Sequence, residues 1–311
     1  MSFAAVFPGQ GAQRLGMARD FHDAYPEARR VFEEASEALA YDVARVCFED
    51  AERLARTEFQ QPALLTAELA ILAALRAHYG FDAGFFGGHS LGEYTALTAA
   101  GVLDVAGAAV LVRERGKLMQ EAVPLGEGSM TAVLKPDLDV ERLRALLAES
   151  DGIEVDLAND NSPDQVVLSG NVIELARATQ RLKEDPVFAR GRCIPLRVSA
   201  PFHSRLMEPA AERFRPLLEE SSQAWRAERA TSVVCNITGT FHAPDRAAIV
   251  DALTRQIYSP VRWLQCMKTL LGRANQVVEV GPGKVLAGFF KSMEVAIANV
   301  SDIGGAERIR R

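Results

Sequence analysis

Ser90 stands between two glycines, Gly88 and Gly92, in the stretch GGHSLGEY. A G-x-S-x-G pattern becomes a nucleophile elbow when a strand precedes it and a helix follows. The glycines let the backbone turn without Cβ clashes, and the helix N-terminus offers amide donors to an oxyanion. The chemistry such a residue offers is nucleophilic attack by its hydroxyl. Such a hydroxyl needs a base, and the chain has five histidines: His22, His78, His89, His203 and His242. His89 adjoins Ser90, and neighbours on an elbow project in different directions, which makes it a poor base. His203 lies in the short loop PFHS, the kind of position where α/β folds carry binding loops. His22, His78 and His242 fall in polar or helix-end contexts and read as surface or capping residues. Spacing leaves the choice of base open, because sequence does not show adjacency in space.

The elements around these residues can be read from periodicity. FAAVF (3–7) is a buried strand running into the turn PGQG, and FDAGFFGG (81–88) is a strand that ends at the elbow. PEARRVFEEASEALA, QPALLTAELAILAALRAHYG, LGEYTALTAAGVL and AGAAVLVRERGKLMQEAV have helical spacing. The second is apolar on nearly every face, with Gly80 placed as a C-terminal cap. After the break PLGEGS the pattern becomes SMTAVL, DVERLRALLAES, IEVDLA, QVVLSG, NVIELARATQRLKED and CIPLRV. That is strand-helix-strand-strand-helix-strand, the ferredoxin-like order. The chain then returns through a loop and helix at SAPFHSRLMEPAAERF, a strand at SVVCNITG, a helix at ALTRQIYSPVRWLQCMKTLL, and strand, turn and helix at QVVEVGPGKVLAGFF. The expected fold class is α/β: a large α/β-hydrolase-like domain with a parallel sheet, discontinuous over 1–128 and 199–311, plus an inserted ferredoxin-like subdomain over 129–198.

Composition narrows the function. With 311 residues, 48% hydrophobic and 24% charged, the chain is globular rather than disordered. A net charge of −6 argues against a general polyanion binder, so no nucleic-acid partner is expected. Cys47, Cys193, Cys235 and Cys266 form no C-x-x-C pair; they read as reduced core residues and suggest no metal site. The first residues lack a basic region ahead of their apolar part, and no segment approaches 18 uncharged apolar residues. A cytoplasmic protein with no membrane partner, and a monomer, is the expectation.

Seven ordered motifs carry a resemblance: FPGQGAQ, QPALL, GHSLGEY, RGKLMQEAV, NSPDQVVLSG, FHSRLM and SPVRW, with EVGPGKVLAGF closing the series. In them the chain resembles malonyl-CoA:acyl-carrier-protein transacylases and the acyltransferases of polyketide synthases over nearly its whole length. The resemblance implies Ser90 as nucleophile and His203 as base. It implies Gln256 as the residue orienting the imidazole, Gln10 and Leu91 as backbone oxyanion donors, and Gln61 and Asn159 as polar neighbours of the site. It further implies Arg115 as a clamp for the malonyl carboxylate, which a guanidinium fork binds bidentately. Arg113, two positions away, lies on another helical face. An unpaired buried guanidinium costs about 3 to 5 kcal/mol, so dicarboxylic acyl groups are preferred by on the order of a hundred- to a thousandfold. Phe202 ahead of His203 accompanies malonyl selectivity in that family.

The implied substrate is malonyl-CoA, with no cofactor and no metal. The implied partner is an acyl carrier protein acting in trans, with a ketosynthase-containing synthase beyond it, in fatty acid or polyketide synthesis. Lys183, Arg190, Arg192, Lys284 and Lys291 are candidates for a basic docking rim. A thioester hydrolase on the same Ser-His dyad and a non-catalytic docking subunit are the rival readings.

Overall fold

The computed structural model describes residues 2–148 and 154–309. Its strands are β1 (Phe3–Phe7), β2 (Ala83–Gly88), β3 (Gly128–Leu134), β4 (Val155–Ser162), β5 (Gln165–Asn171), β6 (Arg192–Pro195), β7 (Gln276–Val280) and β8 (Ala298–Val300). The first two and the last two form one parallel sheet in the order β2-β1-β7-β8. Its centre, β1, is an unbroken apolar run buried from Ala4 to Phe7, as a parallel strand covered on both faces must be. The long helix Thr57–His78 packs over this sheet with residues buried on all sides, and ends before Gly80 at φ +66°.

Between the two halves of that sheet lies an antiparallel sheet in the order β4-β5-β3-β6, with helices Val140–Ala148 and Val172–Glu184 in the connections. It has its own apolar cluster around Leu143, Val166, Leu168, Ala178 and Leu182. Residues 149, 150 and 153 of the predicted helix and strand lie outside the described residues. No described helix is long and apolar enough to cross a membrane.

Three expectations about elements are corrected. SVVCNITG is not a strand: Val233 makes one bridge to Phe86 and Val234 one to Phe241. The chain between them reverses, with Cys235 N–H donating to the Thr240 carbonyl and Gly239 N–H to the Cys235 carbonyl. Asn236 and Gly239 are turn formers, and they end the pairing before it can propagate. The predicted helix 252–271 is two helices, Arg246–Gln256 and Trp263–Leu271. Pro260 lacks an N–H and biases Ser259 away from helical dihedrals. The helix containing QPALL starts at Thr57, so Pro62 lies inside it rather than at its opening. Among the cysteines, Cys47, Cys235 and Cys266 are buried, whereas Cys193 is only half-buried.

Candidate active site

Ser90 occupies the turn between β2 and the helix Leu91–Ala99, at φ 53° and ψ −100°, a backbone region that non-glycine residues rarely adopt. Its neighbours permit the turn. A Cβ on Gly88 would fall 1.9 Å from the Gly92 carbonyl oxygen, and a Cβ on Gly92 would fall 2.2 Å from that of Phe7. The elbow is tied from outside as well. Ser90 N–H donates to Asn236 Oδ1 at 2.7 Å, and Asn236 Nδ2 donates to the Gly88 carbonyl at 2.8 Å.

His203 reaches Ser90 from the loop after β6, its Nε2 2.8 Å from Ser90 Oγ. Its Nδ1 lies 2.7 Å from the Gln256 carbonyl, which can only accept. Nδ1 therefore carries the proton, Nε2 presents a lone pair, and the serine hydroxyl donates to it. The break in the predicted helix makes this contact available, because the carbonyls of a helix's last turn have no intrahelical partner. Burial, followed by the positive charge of Arg115, pulls the His203 pKa down to about 3, against the opposing bonds from Gln256 and Ser259. The other histidines are engaged elsewhere: His22 with Asp23, His78 with Glu27, and His89 with Asn161 Oδ1. His242 departs from its expected surface or capping place; it is buried, with Nε2 2.7 Å from Glu93 Oε1.

Arg115 lies on the helix Val105–Glu121, which opens on Asp104 accepting the Gly107 N–H. It shares the buried stripe of Ala108, Val112 and Met119 and is itself fully buried, which is exceptional for a charged side chain. Its fork is occupied: Nη1 donates to Gln61 Oε1 at 2.9 Å, and Nη2 donates to Gln256 Oε1 at 2.9 Å and to Ser90 Oγ at 3.0 Å. The guanidinium also sits 5.4 Å from the Tyr94 ring centroid. Burial lowers its pKa, with Tyr94 and Glu93 opposing that shift. Arg113 points elsewhere and donates to Glu58.

Several further expected residues gather here. Gln61 Nε2 donates to Gln10 Oε1 at 3.1 Å, and Gln10 Nε2 to Gln60 Oε1 at 2.6 Å, so a chain of amides leads from Arg115 to the PGQG turn. Leu91 is buried at the first position of the helix after the elbow. Phe202 lines a cleft of about 720 Å³ with Gln10, Gln60, Leu125, Leu196 and Arg197. From the expected neighbour strand, the polar contact with the elbow is made by Asn161, whereas Asn159 bridges the backbone at Val261. Lys183, Arg190, Arg192, Lys284 and Lys291 are exposed, and the cation lining the cleft is Arg197.

Sequence reasoning missed Glu93, Asn161, Asn236, Gln60 and the buried place of His242. Glu93 was within reach, since a carboxylate on an otherwise apolar helix behind the elbow is a recognisable anomaly. Glu93, Cys235 and His242 lie close enough to hold a metal ion, but the Glu93 carboxylate is already taken by His242, Asn236 and Gln256.

The geometry presents a hydroxyl hydrogen-bonded to a neutral imidazole, and a buried guanidinium directed at the same oxygen. Such a site can form and break an ester on a substrate that carries a negative charge. The acyl transferase domain family model matches residues 5–292. The malonyl CoA-acyl carrier protein transacylase of Bacillus subtilis (strain 168) is 39% identical over 300 residues, covering 96% of this chain and 92% of that protein. The crystal structure of an acyl-carrier-protein S-malonyltransferase from Burkholderia pseudomallei 1710b superposes with a TM-score of 0.92 at 40% identity, covering 100% of this chain and 99% of that one. A malonyl-transacylase solved in complex with its type II PKS acyl-carrier protein superposes with a TM-score of 0.88 at 38% identity, covering 99% of this chain and 98% of that one.

Proposed function

This chain belongs to the acyl transferase domain family, and from that premise we propose that it moves a malonyl group from malonyl-CoA to the phosphopantetheine thiol of an acyl carrier protein. The observation that carries this reading is the convergence on Ser90 Oγ of His203 Nε2 at 2.8 Å and Arg115 Nη2 at 3.0 Å. We assign Ser90 as nucleophile and His203 as base.

In the first half-reaction Ser90 Oγ attacks the thioester carbonyl and its proton passes to His203 Nε2. As the tetrahedral intermediate collapses, the C–S bond breaks and the imidazolium returns the proton to the departing CoA thiolate. In the second, the pantetheine thiol gives its proton to Nε2 and attacks the ester carbonyl, and Ser90 leaves and recovers the proton. The lowered pKa of His203 leaves the ring neutral near neutral pH, so that Nε2 carries a free lone pair facing the Ser90 hydroxyl. The backbone amides of Leu91 and Gln10 are assigned to the oxyanion, and Arg115 to the malonyl carboxylate. Before substrate arrives, the amide oxygens of Gln61 and Gln256 accept from Nη1 and Nη2 while the buried Nε has no hydrogen-bond partner among the described residues, and the incoming carboxylate replaces the amides with a charge-assisted pair. Phe202 is assigned to the wall that limits substituents on the acyl α-carbon, and Asn159 to a supporting place behind the site. In this reading the catalytic domain is 1–128 with 199–311, and the subdomain 129–198 supplies one wall of the cleft.

The substrate needs no cofactor for this chemistry, since the thioester itself is the activated group. The relatives are named as transacylases or malonyltransferases, and the hydrolase alternative finds no support among them. Intact-mass spectrometry after mixing with malonyl-CoA should show one malonyl adduct on the wild type and none on Ser90→Ala. Added holo carrier protein should then remove it. An adduct on Ser90→Ala, or one that yields malonate without loading any carrier, would overturn the assignment.

A further inference from the structure

Behind Ser90 and His203 lies a buried carboxylate that touches neither side chain yet binds the groups that hold them. Glu93 Oε2 accepts from Gln256 Nε2 at 2.6 Å and from the Asn236 backbone N–H at 3.2 Å, while Oε1 accepts from His242 Nε2 at 2.7 Å. The Glu93 and His242 side chains are 1% and 2% exposed. Gln256 in turn donates to the Ser90 carbonyl, accepts from Arg115, and through its own carbonyl accepts from His203 Nδ1. Asn236 accepts the Ser90 N–H and donates to the Gly88 carbonyl. The backbone of Ser90, the tautomer of His203 and the fork of Arg115 therefore all lead to one carboxylate.

We propose that the buried Glu93–His242 pair is the positioning device of this site, setting Ser90 and His203 in register through Gln256 and Asn236. The physical requirement is a strong acceptor. Every neighbour of Glu93 presents an N–H, and only an ionised carboxylate has acceptor sites on both oxygens and no donor of its own. His242 closes the set by supplying the third donor and fixing which oxygen faces Gln256. It stands on a reversed loop, not on a helix or strand, so its contact with Glu93 also pins the segment that presents Asn236. Glu93→Gln would keep the shape but replace one acceptor oxygen with an NH₂ and remove the charge: aimed at Gln256 the NH₂ meets another donor, and aimed at His242 it forces the opposite imidazole tautomer and leaves a neutral amide acceptor for Gln256 and the Asn236 N–H. Displacements well under an ångström at a reacting pair are enough to slow a reaction, and a misplacement of about 1 Å costs on the order of a hundredfold.

This inference rests on Ser90 being the nucleophile, so its test uses a reaction that reports on Ser90 and His203 without the malonyl carboxylate. The probe is phenylmethanesulfonyl fluoride, with Ser90 sulfonylation followed by intact mass, alongside single-turnover acylation by malonyl-CoA and thermal unfolding. Wild type should react and Ser90→Ala should not; failure of that control removes the nucleophile assignment and is distinguishable from anything seen at Glu93. Glu93→Gln should slow sulfonylation and malonylation together, by about tenfold to a hundredfold, with KM for malonyl-CoA changed less than about threefold. His242→Gln, which can still donate, should retain much of the rate that His242→Leu loses at equal folded fraction. Wild-type rates in folded Glu93→Gln, or equal rates in the two His242 variants, would overturn the proposal. So would a loss confined to malonyl-CoA, which would place the effect at the Arg115 fork. Should Glu93→Gln fail to fold, the two His242 variants decide the matter by themselves.

Discussion

At the scale of single residues, the site depends on what each group is denied as much as on what it is given. Arg115 is denied water, and its fork is met by neutral amide oxygens, so a carboxylate that enters gains a charge-assisted pair at little cost in reorganisation. Arg115→Ala should therefore slow Ser90 malonylation by at least about thirtyfold while acetyl-CoA gains relative to malonyl-CoA, measured by competition and intact mass. An unchanged acyl preference would remove the clamp assignment. His203 is denied its proton. Its pKa of about 3 in the fold lies below the ordinary 6.5, so between those values the unfolded chain binds more protons than the folded one. The stabilisation associated with the neutral buried ring is complete above about pH 6.5 and is lost as pH falls towards 3, with a slope approaching about 1.4 kcal/mol per pH unit. Denaturant melts of wild type and His203→Gln across pH 4 to 8 should diverge in that window, and parallel profiles would contradict the shift. Ser90, His203 and Arg115 were all legible as residues, but by different means. The elbow followed from glycine spacing and its flanking elements, whereas Arg115 followed only from the resemblance, since helical periodicity by itself assigns Arg to a surface.

At the scale of elements, legibility tracked how local the determining interactions are. Strand β1 and the helix Pro26–Leu39 follow from short-range pattern: an unbroken apolar run in one, and an amphipathic stripe opening on Pro26 in the other. The segment 232–239 has the composition of a strand, and its β-branched residues do sit against the sheet edge at Phe86. What denies it strand structure is the turn at Asn236–Gly239, together with the use of Asn236 to hold an elbow 146 positions away in the chain. The break between the helices Arg246–Gln256 and Trp263–Leu271 did have a local signal in Ser259-Pro260. Its consequence, a free carbonyl at Gln256 facing His203, did not, because that depends on how the loop after β6 returns to the large sheet. The same limit hid the pairing of Glu93 with His242, though not the anomaly of Glu93 itself. Their pairing spans 149 positions, and no period in either segment points to the other.

At the scale of the whole molecule, the loop that carries His203 joins the two sheets and lines a cleft with Leu196, Arg197 and Phe202. The chain leaves β6, passes Leu196, Arg197 and Phe202 along the cleft wall, and delivers His203 at φ 59° to Ser90. Two residues on, Arg205 grips Asp156 of β4 through Nε and Nη2 and also through its backbone N–H. The loop is thus anchored to the large sheet through His203 and to the small sheet through Arg205, with Phe202 held between the anchors and packed into the core beside Ala200. A ring so constrained cannot readily swing aside, and under the proposed function selection against an α-substituent would be a property of this wall. Phe202→Ser removes the ring and leaves both anchors in place. The cavity should cost about 3 to 5 kcal/mol of stability, so total activity will fall with the folded fraction. The ratio of methylmalonyl to malonyl adduct on Ser90, read from one competition mixture, is independent of that fraction. One methyl group in an apolar site is worth about 1 to 3 kcal/mol, which sets the expected rise in that ratio at about tenfold to a hundredfold. A ratio that stays at the wild-type value would mean that the wall facing the α-carbon is built from other residues of the cleft, and that Phe202 serves only to fix the loop that carries His203.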